Sequence, residues 1–188
     1  MIPFSRSGTD LVAEVDGFEA ALLASLVGQV AELLGGSAAG PASEGEDPFA
    51  QWEREFDPGV ELDRSDPVIE RLFPDAYADP GAAGEHHRLS QERLRQSRVE
   101  EAGRVLAVLA GLGDDGGVLV VPQQDAETWL KVFNGVRLSL AVRLGIESEA
   151  DHLDLEALPP RDPRAQIVDL YDWLGMVLES LLEALHAR

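Results

Sequence analysis

At 188 residues, 45 % of them hydrophobic and 27 % charged, the chain can bury a hydrophobic core and is too apolar to behave as a disordered polymer. Its 35 acidic against 15 basic side chains give a formal charge of -20, which opposes the counterion-displacing contact with phosphate that nucleic-acid binding needs and suits a basic protein partner. Cysteine is absent, which excludes disulfides, thiolate nucleophiles, iron–sulfur clusters and cysteine-bound zinc.

In chain order, the start Met1-Ile2-Pro3-Phe4-Ser5-Arg6 lacks the basic opening and apolar run of a signal peptide. No later stretch approaches the roughly 20 apolar residues of a membrane span, so a cytoplasmic location is expected. Phe4 to Arg6 and Leu11 to Val15 flank the turn-forming Ser7-Gly8-Thr9-Asp10, which predicts a hairpin. Asp16 and Glu19 have capping-box spacing and open a helix whose stripe is read as Phe18, Leu22, Leu26, Val30 and Leu33, ending at Gly35-Gly36.

From there to about residue 62 the chain is rich in Gly, Ala, Pro, Ser and acids with no apolar period, and is read as a flexible acidic connection near 37–62 within one domain spanning 1–188. Asp66-Pro67 starts a short helix running to Phe73, with Asp66 as its cap. His86 to Leu109 reads as a longer helix whose first half holds Arg88, Arg93, Arg95 and Arg98 and whose far end is buried by Val105, Leu106, Val108 and Leu109. Val118 to Val121 reads as a strand pairing with the hairpin. Pro122 opens a helix with an apolar face of Ala126, Trp129, Leu130, Phe133, Leu140 and Leu144, stopped by Gly145. An acidic loop leads to Asp162-Pro163, which starts the last helix, apolar over a wide arc from Ile167 to Leu185; that arc leaves room for a homodimer contact.

Arg137 stands out because it falls on the buried stripe of its helix, where a charge needs a partner; Asp172 and Glu179 of the last helix are the acids expected to supply one. Glu85-His86-His87 lacks metal-site spacing, and His152 and His186 are placed in a loop and at the terminus, so no metal site is predicted. The arginines from Arg88 to Arg98 are interleaved with Glu92, Glu100 and Glu101, and direct nucleic-acid binding is not expected from them. No phosphate-binding loop, nucleotide fingerprint or nucleophile elbow is present, so neither a catalytic residue nor a cofactor is assigned.

Four blocks in order carry a resemblance: Arg71-Leu72-Phe73-Pro74-Asp75-Ala76-Tyr77; Arg88-Leu89-Ser90; Trp129-Leu130 with Asn134, Arg137-Leu138, Leu140 and Arg143-Leu144-Gly145-Ile146; and Tyr171-Asp172-Trp173-Leu174 with Leu178-Glu179-Ser180-Leu181. Together they resemble the actinobacterial AosR-like family of oxidative stress transcriptional regulators, formerly a domain of unknown function. The resemblance implies a non-enzymatic regulator acting by protein–protein interaction with transcription machinery such as a sigma factor. It also marks Arg71, Asp75, Tyr77, Arg88, Asn134, Arg137, Arg143, Asp172 and Glu179 as a shared interaction surface or buried polar network. The family's cysteine switch has no counterpart here, and Met1, at the terminus, and Met176, expected to be packed, are poor substitutes.

The expected fold class is mainly α (α+β), a helical domain with a small antiparallel sheet of about three short strands. The alternative function is a small-anion or metabolite-binding protein, or an enzyme of unfamiliar type, using Arg137 and Arg143 with His86 or His87 as a base.

Overall fold

The computed structural model describes residues 3–35, 66–73 and 84–187, with the backbone alone for 84–90. The expected acidic connection near 37–62, together with Asp75 and Tyr77, lies outside the described residues. The architecture is mainly helical with one three-stranded antiparallel sheet in the order β1-β2-β3. Strands β1 (Ser5–Ser7) and β2 (Asp10–Asp16) form the predicted hairpin, and β3 (Gly116–Pro122) pairs with β2 from the far side of the chain, with Leu11 opposite Val121 and Ala13 opposite Leu119. The period of two turns Leu11, Ala13, Val15, Leu119 and Val121 into the core and leaves Val118 and Val120 exposed on the outer face.

The capping box forms as predicted: Asp16 accepts from the Glu19 amide and Glu19 accepts from the Asp16 amide, starting α1 (Gly17–Leu33). Its buried face differs from the expected stripe. Ala20, Leu23, Leu26, Val27 and Ala31 point inward, while Phe18 is 76 % exposed. Periodicity could not select the face because the segment is apolar around most of its circumference. Tertiary docking selects it instead, since Gly17 sits so close to the loop before β3 that a Cβ there would lie 1.7 Å from the Asp114 carbonyl oxygen. Gly116 shows the complementary constraint, adopting φ +71° where a side chain would meet the Val15 carbonyl.

Helix α2 (Pro67–Leu72) is capped by Asp66, whose carboxylate accepts from the Val68 amide, as its Asp-Pro start predicts. Helix α3 (Gly84–Ala110) buries Ala102, Val105 and Leu109, but Val108 is exposed, contrary to expectation, because it lies about 90° of helix turn from the centre of that face. A 3-10 turn at Gln123–Asp125 leads into α4 (Ala126–Leu144), where Trp129 packs edge to face against Phe133 at 5.4 Å between ring centres.

The predicted acidic loop contains a helix, α5 (Glu149–Glu156), opened by a reciprocal capping box between Ser148 and Asp151. Helix α6 (Pro163–His186) closes the fold, burying Val168, Leu174, Val177, Leu181 and Ala184. The main core lies between the inner face of the sheet and α1, α3, α4 and α6, and a satellite cluster of Leu34, Val68, Ile69, Leu72 and Phe73 seats α2.

Candidate functional site

Two regions gather the side chains singled out by sequence. The first is a cleft of about 230 Å³ between α1, α2, α3 and α4, walled by Val27, Val30, Leu34, Leu72 and Leu138. Its polar groups are Ser97, Arg98, Glu101, Lys131 and Asn134. Lys131 Nζ lies 2.8 Å from Glu127 and 3.8 Å from Glu101; the Glu127 hydrogen bond raises the lysine and lowers the glutamate relative to their ordinary values. The Arg98 guanidinium lies 5.0 Å from the centre of the Phe73 ring, and burial lowers its pKa against the opposing pull of Glu101.

The second region lies where α4, α5 and α6 meet. Arg137 does not pair with Asp172 or Glu179. Its guanidinium carbon stacks 4.2 Å above the Tyr171 ring, beside Gly175, and its buried Nε has no hydrogen-bond partner among the described residues. The reason is competition and reach: Asp172 is taken by His152, with Nε2 to Oδ1 at 2.7 Å, and Glu179 is exposed. His152 therefore stands on α5 and not in a loop, its ring 5.5 Å from that of Tyr171. Glu156, one helical turn on, turns its carboxylate to the same place, so that one ligand atom from each of His152, Glu156 and Asp172 falls within 4.8 Å of the others.

The other predicted residues scatter. Arg71 and Arg143 are exposed, Asn134 is exposed at the cleft, and Arg88 lies on α3 with its side chain outside the described residues. Arg137 and Arg143 do not converge: six residues apart on α4, they project from faces separated by about 120°. Arg95, read as part of a basic stretch, is buried; it donates to the Leu34 carbonyl at the end of α1 and pairs with Glu92. Met176, expected to be packed, is 63 % exposed, because it lies outside the Leu174–Val177–Leu181 core line of α6.

Sequence reasoning missed His152 and Glu156. Their signal was present as a Ser148–Asp151 capping box with His and Glu four residues apart behind it, but the helix has only Leu155 to bury and shows no apolar stripe.

A mainly helical protein with a three-stranded sheet, an apolar cleft and a polar junction at α5–α6 is the class that this geometry defines. The chain belongs to the family described as Domain of unknown function (DUF2017), whose model matches residues 1–185. It is 30 % identical over 193 residues to the "Oxidative stress regulator AosR" of Mycobacterium bovis and to that of Mycobacterium tuberculosis, covering 95 % of this chain and 83 % of each relative. No solved structure matches the chain. The named relatives support a regulatory role, and among the described residues no helix is long and apolar enough to cross a membrane.

Proposed function

We propose that this protein is a non-enzymatic regulator that acts by protein–protein contact and, having no cysteine, does so without a thiol switch. The observation that carries the reading is the α1–α4 cleft. Its apolar walls and polar rim form the kind of desolvated recess that receives an anchoring side chain of a partner. The partner chemistry that fits is a segment with one large apolar anchor flanked by Arg or Lys, drawn by the charge of -20. A protein of the transcription machinery such as a sigma factor is the partner that the resemblance implies.

Asn134 is exposed at the cleft, so Asn134→Arg introduces bulk there without touching the core. With tagged protein in host lysate, wild type is expected to retain a sigma factor or polymerase subunit, and Asn134→Arg to lose at least about tenfold of it, a change of about 1.4 kcal/mol. Equal recovery by both proteins would remove the cleft from the reading. Recovery of neither, with thermal stabilisation by a small anion or metabolite, would replace the reading with a ligand-binding one. That alternative is favoured by the Nε of Arg137, which has no partner among the described residues, and weakened by the divergence of Arg143.

A further inference from the structure

We propose that His152, Glu156 and Asp172 form a binding site for a first-row divalent metal ion, with Zn²⁺ as the probe ion, that fastens α5 to α6. None of the three lines the α1–α4 cleft.

Three observations lead to it. The donors are of the right chemistry: one imidazole nitrogen and two carboxylates suit zinc, manganese, iron or cobalt better than magnesium or calcium, which take oxygen alone. Their spacing is right as well. Ligands about 2.0 to 2.2 Å from a central ion stand roughly 3 to 4 Å from one another, and the three donor atoms already lie within 4.8 Å, with the His152–Asp172 edge closed to 2.7 Å. Small rotations of the exposed Glu156 close the longer edges, and a slight swing of Asp172 opens the 2.7 Å edge to the same range.

The third observation is how lightly α5 is otherwise held. Leu155 is its sole buried residue, and the His152–Asp172 contact is the one hydrogen bond found between its side chains and α6 among the described residues. An ion held by two residues of α5 and one of α6 replaces that single bond with three. Because His152 coordinates through the nitrogen that faces Asp172, binding the ion displaces the hydrogen bond between them. Three protein ligands leave at least one position for water. Tyr171, already against His152, walls the site with its ring and in turn carries the Arg137 guanidinium.

The decisive experiment is isothermal titration of the full chain with ZnCl₂, with MgCl₂ as a comparison and hydrogen exchange of residues 149–156 as a second readout. One Zn²⁺ per chain is expected, with slower exchange across α5. His152→Ala and Asp172→Asn should each weaken binding at least about tenfold. Glu156→Gln, at an exposed position that cannot unsettle the core, should weaken it as well, while Asp154→Asn, exposed on the same helix, should leave it unchanged. Equal weakening by Asp154→Asn, or stoichiometry well above one, would mean diffuse attraction to an acidic surface and would overturn the proposal. So would absence of Zn²⁺ binding at millimolar concentration, or binding that leaves α5 exchange unaltered.

Discussion

Two arginines, Arg6 and Arg95, work at the ends of helices. Arg6 of β1 donates to the carbonyls of Leu185 and Ala187 at the end of α6, at 3.2 and 2.7 Å, and Arg95 of α3 donates at 2.8 Å to Leu34 at the end of α1. In each case a fixed positive fork meets carbonyls that the helix leaves without partners and that carry its negative pole. Arg95 is 7 % exposed, so removing it uncovers both the Leu34 carbonyl and the Glu92 carboxylate. Arg95→Met is expected to cost about 2 to 3 kcal/mol, read as a fall of roughly 5 to 10 °C in Tm.

The Arg95 hydrogen bond also holds Glu92 below the ordinary carboxyl value, which fixes the sign of a pH effect. A depressed folded value stabilises the fold above the unfolded pKa of about 4.3 and loses that contribution as pH falls through the folded value. The stability advantage of wild type over Glu92→Gln should therefore be complete at pH 6 and shrink steadily towards pH 3 in denaturant titrations. At this scale the sequence identified Arg137 as unusual but misassigned its partner. An aromatic ring can face a guanidinium's charge where an acid was expected, while leaving its Nε donor without a partner among the described residues, and no spacing rule distinguishes the two before the helices are docked.

At the scale of elements, boundaries written in cap and turn chemistry were legible. Asp16 with Glu19, Asp66-Pro67, Asp162-Pro163 and Gly145 each mark the helix end where they were read. Helix α5 was not legible, since eight residues, half of them acidic and one a buried leucine, carry no period, and the candidate His152–Glu156–Asp172 cluster was hidden with it. The rotation of α1 was equally unreadable, being set by contact with Asp114 about a hundred residues away. That contact is testable. Gly17→Ala should destabilise by about 2 kcal/mol or more, as the backbone must retreat from the new Cβ, despite a gain of nearly 1 kcal/mol in helix propensity. Gly28→Ala in the same helix, where a Cβ meets nothing within 4 Å, should stabilise by about 0.5 to 1 kcal/mol; urea midpoints of the two variants should move in opposite directions.

For the whole molecule, the helical periods, caps and turn residues along the chain pointed correctly to a mainly helical fold with a small sheet, and the expected pairing of the third strand with the hairpin holds. What composition could not convey is how far apart the joined pieces lie. The central strand β2 is drawn from residues 10–16 and its neighbour β3 from residues 116–122, while Arg6 reaches across to the last turn of the chain. A ribosome adding about 5 to 20 residues per second releases β3 several seconds or more after β2 has emerged. Throughout that interval the hairpin presents the unpaired backbone edge of β2 and the uncovered apolar face of Leu11, Ala13 and Val15, so the newborn protein passes through a period in which its second strand is a target for chaperones and for misassociation.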